Sequence, residues 1–230
     1  MAMTDGVGKT FFEEWAIDYD ELRNKSFLEK SKETMDLIVE RYKHNKHSFL
    51  ELGLGTGEVF KIMSKRFKFS CATDISEGMV RRSHLKAKTE HNLLVSDGCN
   101  LPLKNDSFDF IICQDVIEHV PDQKKLVLEI RRVLRTNGIA IITTPNPLWA
   151  PVLYLAEKFR LKVEEGEHEF IVLPRLIKNS LHEGDCNLLS ERPFMMFPVK
   201  SGLDKFIESL ANKKVFARLG FSQMCIIEKK

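Results

Sequence analysis

The sequence predicts an α/β fold: a mostly parallel sheet covered by helices on both faces. Two observations carry that prediction. Short β-rich runs alternate with longer helical patterns from Ser48 to Thr144, and a glycine-rich turn, Gly53-Leu54-Gly55-Thr56-Gly57, separates the first run from the first helical pattern. The composition suits such a core, because 43% of the 230 residues are hydrophobic and 30% charged, unlike fibrous or globally disordered chains.

In chain order, residues 11–44 are charged with recurring apolar positions, among them Phe12, Trp15, Ile17, Leu22, Met35, Leu37, Ile38 and Tyr42. That periodicity predicts a helical N-terminal extension. Strands are expected at Ser48–Leu54, Phe69–Asp74, Asn92–Val95, Phe108–Cys113 and Gly138–Thr144, with helices near Val59–Phe67, Gly78–Lys86 and Asp122–Leu134 between them. In the last of these helices Leu126, Val127, Ile130, Val133 and Leu134 form an apolar stripe. After Thr144 the rhythm breaks at Pro145-Asn146-Pro147. Trp149–Leu161 and Leu173–Leu181 then read as helices, Leu188–Phe197 as a strand, Leu203–Ala217 as a helix and Phe221–Glu228 as a last strand. The simplest organisation is one domain, 1–230, with an insertion at 148–172 that can serve as a substrate lid.

Charge excludes some functions. With 35 basic and 33 acidic side chains the net charge is +2, which suits neither a nucleic-acid coat nor an anionic-membrane binder. Five scattered cysteines, without C-x-x-C spacing, read as reduced thiols rather than a disulfide framework or zinc cluster. No secretory core opens the sequence and no run approaches the ~20 apolar residues of a membrane span. A cytoplasmic protein without a membrane span is expected.

The glycine turn lets a ligand approach the backbone, although a purely structural turn has the same glycines. The dinucleotide fingerprint would need Gly or Ala at position 58, where Glu58 stands; a carboxylate there opposes a pyrophosphate, so a phosphate-free cofactor fits better. Asp74, at the end of the second strand, can accept from ribose hydroxyls, and a helix-capping role for Asp74 or Ser76 is an equal alternative. Asp97 in Ser96-Asp97-Gly98-Cys99 can meet an adenine edge or close an Asx-turn.

Taken together, these stretches resemble the class I S-adenosylmethionine-dependent methyltransferases. The resemblance runs from about Phe11 to Asn146 through Glu51–Gly57, Thr73–Met79, Asp97 with Leu101-Pro102-Leu103 and Ser107-Phe108-Asp109, Gln114–Asp122, and Leu134–Gly138. It implies a Rossmann-like, predominantly parallel seven-stranded sheet with an antiparallel last strand. By position it also implies that Gly53, Gly55 and Gly57 bring backbone to the methionine part of S-adenosylmethionine, with Glu51 steadying the loop or meeting the amino group. Asp74 would hold the ribose, Ile75 and Met79 would flank adenine, and Asp97 with Gly98 would meet its edge. Gln114 and Asp115 would face the sulfonium. Trp15–Asp20 looks like the aromatic segment that closes over the cofactor in this family, placing Tyr19 at the site. For Ile75 and Met79, ordinary core packing is the competing reading.

A sulfonium methyl is already electrophilic, so alignment supplies much of the catalysis. For a hydroxyl acceptor a general base adds about 10²–10⁴-fold, and His119 and Asp115 are the candidates. The 114–122 segment is also similar to that of the ubiquinone-pathway O-methyltransferases, where two acids and a histidine are associated with a divalent metal. Asp115, Glu118 and His119 correspond, but Asp replaces the usual first Glu and the same motif occurs in relatives without an evident metal, so a divalent metal is the lesser alternative to a metal-free site.

The reading is methyl transfer to a small organic acceptor, with O-methylation slightly favoured, no specific nucleic-acid partner, and a homodimer allowed. The competing functions are a noncatalytic cofactor-binding regulator, an RNA methyltransferase suggested by Arg81-Arg82, Lys86 and Lys88, and Arg131-Arg132 with Arg135, a protein methyltransferase, and an NAD-dependent oxidoreductase. Asn146-Pro147 reads as a turn rather than a base-methylation motif. Gly8-Lys9-Thr10 lacks the upstream glycine and strand of a phosphate loop, and Asn24-Lys25-Ser26 and Asn105-Asp106-Ser107 match the glycosylation pattern without relevance in a cytosolic setting.

Overall fold

The structure, a computed structural model, describes residues 25–42, 47–87, 92–149, 151, 177, 186–195 and 220–230. The elements are α1 (Lys25–Tyr42), β1 (Ser48–Leu52), α2 (Phe60–Met63) with a 3₁₀ turn (Ser64–Arg66), β2 (Phe69–Asp74), α3 (Glu77–Ala87) and β3 (Asn92–Val95). There follow β4 (Phe108–Gln114), a 3₁₀ turn (Ile117–His119), α4 (Gln123–Val133), β5 (Leu134–Pro145), a 3₁₀ turn (Pro147–Trp149), β6 (Cys186–Met195) and β7 (Ser222–Lys229).

Seven strands form one sheet in the order β3-β2-β1-β4-β5-β7-β6. The first five are parallel to their neighbours, whereas β7 runs antiparallel to both β5 and β6. The expected sheet is therefore observed. Every residue of β1 is buried, as a central parallel strand covered on both faces requires.

Alternation along the strands sorts their side chains into two cores. Leu50, Leu52, Ile111, Cys113, Ala140 and Ile142 pack with Leu126, Val127, Ile130 and Val133 of α4. Phe49, Phe110, Ile112, Ile139 and Ile141 point to the other face, against Met35, Ile38 and Val39 of α1, Phe60 and Met63 of α2, and Val80 of α3. Phe49 stacks on Phe60 and Phe67 at centroid separations of 5.8 and 5.1 Å. The apolar stripe predicted for α4 thus covers one face, and the described half of the N-terminal extension covers the other.

β2 and β3 have their predicted bounds; several other elements shift by one or two residues at an end, and β1, α2 and β5 differ for identifiable reasons. β1 stops at Leu52 rather than Leu54 because Gly53 takes φ +74° and turns the chain out of the strand. The helix expected at Val59–Phe67 is only four residues plus a 3₁₀ turn. Phe67 becomes extended, and the amides of Lys68 and Phe69 donate to the His47 carbonyl, reversing the chain into β2. β5 begins four residues early, through the irregular pair Leu134 with Phe108. Residues 11–24 of the extension, the helices expected at Leu203–Ala217 and in most of Trp149–Leu161 and Leu173–Leu181, and most of the 148–172 insertion lie outside the described residues. No helix among the described residues is long and apolar enough to cross a membrane.

The basic runs that suggested RNA are largely engaged. Arg132 pairs with Glu129 and donates to the carbonyls of Leu101 and Leu103, stitching α4 to the loop before β4. Lys86 reaches Glu58, and Arg135 reaches Asp109.

At the amino ends of β1 and β4, Asp109 Oδ2 accepts from the His47 and Ser48 amides and from Ser48 Oγ at 3.0, 2.9 and 2.7 Å. Burial alone would raise its pKa, but the Ser48 hydroxyl, these amides and Arg135 outweigh it and hold Asp109 below the usual Asp range. A lowered folded pKa means stability that is present above the unfolded Asp value of about 3.9 and lost as pH falls through the folded value. Thermal melts from pH 7 to pH 2 are expected to show Asp109→Asn less stable than wild type at neutral pH. The difference should narrow below about pH 4; a constant difference would show that this carboxylate does not link pH to stability.

The described cysteines are free. Burial pushes Cys71 and Cys99 up to about 11, with Asp97 and Asp122 adding to the effect at Cys99, so neither is an activated thiolate at neutral pH.

Candidate functional site

The strand order changes direction between β1 and its two neighbours, β2 and β4, and in open α/β sheets ligands bind outside the carboxyl ends of strands at such a point. A cleft of about 830 Å³ opens there. Its lining includes Glu51, Gly53, Gly55, Asp74, Ile75, Met79, Asp97, Gly98, Gln114, Asp115 and His119. One cleft therefore brings together the sequence-predicted residues with two exceptions: Gly57 supports its loop from outside the lining, and Tyr19 lies outside the described residues.

The glycine loop is built around positive φ angles at Gly53, Gly55 and Gly57, +74°, +52° and +79°. At Gly53 the conformation is also sterically enforced, since a Cβ there would stand 2.1 Å from Val116 Cγ2. The Gly53 and Leu54 amides donate to the Thr73 carbonyl at the end of β2. Asp74 completes the join: Oδ2 accepts from the Gly55 amide at 2.7 Å and Oδ1 from the Ser76 amide at 2.9 Å. Ser76 then caps α3, its Oγ accepting from the Met79 amide at 3.1 Å. Capping belongs mainly to Ser76, and Asp74 clamps the loop with carboxylate capacity left for further donors.

Asp97 does form an Asx-turn, Oδ1 accepting from the Cys99 amide at 2.8 Å, yet it stays exposed and lines the cleft. At the opposite end, Asp115 adopts φ +53° and is tied to β5, its amide facing Thr143 Oγ1 at 3.2 Å and its Oδ1 accepting from that hydroxyl at 2.9 Å. Gln114 Nε2 donates to Ser31 Oγ of α1 at 2.6 Å. His119 ends the 3₁₀ turn half-buried, its amide donating to the Val116 carbonyl.

Sequence reasoning missed two contributors, Val95 and Ser31, and misjudged a third, Glu58. Val95, 49% exposed at the end of β3, lines the cleft with Ile75, 39% exposed; their exposure in spite of apolar character was the one signal the sequence could not show. Ser31 lies 83 residues from Gln114, and no local pattern links them. Glu58 is paired with Lys32 at 2.6 Å and Lys86 at 3.3 Å. Burial opposes its charge, but the hydrogen bonds and charges of these lysines hold Glu58 below the usual range. Its charge is thus offset, and the case against a pyrophosphate rests more on α2, whose four residues sum to little dipole.

Asp115 and His119 line the cleft, whereas Glu118 does not. Glu118 is 3% exposed and absent from the cleft lining, and no group of three such ligands is positioned for an ion among the described residues. Asn146 is confirmed as a turn: its Nδ2 donates to the Gly220 carbonyl at 2.6 Å and its Oδ1 accepts from the Leu148 amide.

This strand order is the fold of solved methyltransferase structures, which the chain resembles in its backbone. Residues 50–142 match a family model described as a methyltransferase domain. The chain is 30% identical over 143 residues to an uncharacterised protein of Methanocaldococcus jannaschii, covering 60% of each chain. It is 26% identical to a ubiquinone biosynthesis O-methyltransferase of Histophilus somni, over 53% of this chain and 56% of that one. The magnesium protoporphyrin IX methyltransferase of Synechocystis, solved with bound S-adenosylmethionine, superposes with a TM-score of 0.67 at 13% identity, covering 100% and 99% of the two chains. The chain spans 42%, 60% and 56% of the length of three curated relatives it matches.

The cleft fits that cofactor. Its volume lies within the ~300–1,000 Å³ of small-molecule sites. Ile75 and Val95 offer exposed apolar surface, and Asp74 and Asp97 place carboxylate acceptors in the same lining. Gln114 Oε1 is buried with no hydrogen-bond partner among the described residues, a polar atom near the centre of the site.

Proposed function

We propose that the chain, acting as one methyltransferase unit, catalyses S-adenosylmethionine-dependent methyl transfer to a small organic acceptor, preferentially at a hydroxyl oxygen. The observation that carries the reading is the convergence of the glycine loop, Asp74, Asp97 and the Gln114–His119 segment on one cleft. The cofactor supplies the electrophilic methyl. In this assignment the loop of Gly53, Gly55 and Gly57 with Glu51 receives the methionine part, Asp74 accepts from the ribose, Ile75 and Met79 flank the adenine, and Asp97 with Gly98 meets its edge.

Gln114 and Asp115, the latter fixed by Thr143, define the acceptor end. His119 takes the acceptor's proton on an imidazole nitrogen. Similarity to an O-methyltransferase supports the preference for oxygen, and the engaged arginines and near-neutral net charge of +2 favour a small acceptor over RNA.

The test is transfer of labelled methyl from S-adenosylmethionine to a panel of small alcohols, phenols, amines and acids, with calorimetry against S-adenosylhomocysteine and NAD. Binding of S-adenosylhomocysteine and labelling of a hydroxyl compound are expected. His119→Ala should lower kcat about 10²-fold while leaving cofactor affinity in place. Preferential NAD binding would overturn the function, and transfer insensitive to His119→Ala would remove the base.

A further inference from the structure

The loop after β3 and the first turn of α4 are joined by a run of hydrogen bonds that ends on Asp97. Lys125 Nζ donates to Asn100 Oδ1 at 2.8 Å, and Asn100 Nδ2 donates to Asp97 Oδ2 at 2.8 Å. Asp97 Oδ1 accepts from the Cys99 amide, also at 2.8 Å, and the Asn100 amide donates to the Asp97 carbonyl at 2.9 Å. Lys125 is itself fixed at its backbone, its amide donating to Asp122 Oδ1 at 2.9 Å. Asp97, Asn100 and Lys125 all line the cleft.

A carboxylate on an exposed loop has two freely turning oxygens. Here each oxygen already accepts one N–H from a different direction, so the plane of the Asp97 group is set while lone pairs remain for a ligand donor. The order of the run matters. Asp97 can only accept, so it takes the amide's N–H end, and the ammonium holds the amide oxygen at the other end; without Lys125 the Asn100 carboxamide is anchored at one end only and is free to swing with Asp97.

We infer that Asn100 and Lys125 are positioning residues that aim Asp97 at the exocyclic amine of the cofactor's base and thereby set selectivity for an amino-purine over an oxo-purine. The inference rests on the adenine assignment made above for Asp97. An oxo-purine presents an acceptor where adenine presents N–H donors, and a fixed carboxylate opposes it; buried or fixed polar groups left facing the wrong partner are what make such sites selective.

The test compares S-adenosylhomocysteine with S-inosylhomocysteine by calorimetry on wild type, Asn100→Ala, Lys125→Met and Lys125→Arg. Wild type is expected to prefer the adenosyl compound by tenfold or more. Asn100→Ala and Lys125→Met should weaken adenosyl binding about three- to tenfold, with inosyl binding unchanged, so that the ratio falls. Lys125→Arg, which keeps a donor, should retain the ratio. Both altered side chains are exposed, so melting should not change. Good binding of S-adenosylhomocysteine with an unaltered ratio in both variants would overturn the positioning role alone. If neither compound binds wild type, the cofactor assignment fails and the inference with it.

Discussion

Asp74→Ala is expected to weaken S-adenosylhomocysteine binding by about 100-fold while leaving a folded protein. The side chain fastens two amides from separate segments, Gly55 of the loop and Ser76 at the start of α3, at 2.7 and 2.9 Å. Under the proposed assignment it also accepts from the ribose. Hydrogen bonds to a charged group contribute roughly 1.5–3 kcal/mol each, so losing the ribose contact and loosening the loop together reach about two decades of affinity. The sheet beneath does not depend on Asp74, because β2 keeps its ladders to β1 and β3. Calorimetry with circular dichroism checks this. Asp74→Asn, which keeps one acceptor oxygen, should fall between the two. An Asp74→Ala protein that binds within threefold of wild type would mean the carboxylate neither holds the loop nor meets the ligand.

Gly53→Ala should have the largest effect on stability among substitutions in the cleft. The residue lies at φ +74°, where a side chain costs roughly 1–2 kcal/mol. An added methyl would also stand 2.1 Å from Val116 Cγ2, a separation that forces the 114–120 segment or the loop to move. Overpacking of this kind costs about 1–3 kcal/mol more. A fall in Tm of roughly 5–15 °C follows for a chain of this size, together with loss of cofactor binding. The two contributions can be separated: Gly53→Ala with Val116→Ala should recover the steric part and leave the conformational part. If the single variant melts with wild type, neither constraint operates.

Much of the site was legible because its parts are local. A glycine turn after a strand, an acid ending the next strand and an acid after the third are each visible within a few residues, and the parallel topology alone brings them to one edge. β2 and β3 were readable to the residue. What was hidden depends on contacts between distant residues: Ser31 with Gln114, Lys32 with Glu58, and Lys125 with Asn100 join positions 83, 26 and 25 apart. The length of α2 was misjudged for a similar reason. Its sequence allows a longer helix, but hydrogen bonding of Lys68 and Phe69 to His47 pulls the chain into β2. Glu58 shows how chemistry can be misjudged as well, because an isolated acid in the sequence is a neutralised one in the fold.

The place of β7 has a consequence for assembly. It is later in the chain than β6 but lies between β5 and β6 in the sheet. While a ribosome makes the chain, β6 emerges with no strand to join, and the edge of β5 stays open until residues 222–229 follow. The half of the sheet that carries the glycine loop, Asp74 and Asp97 can pair as it is made. In the far half, both the outer edge of β5 and the attachment of β6 depend on β7.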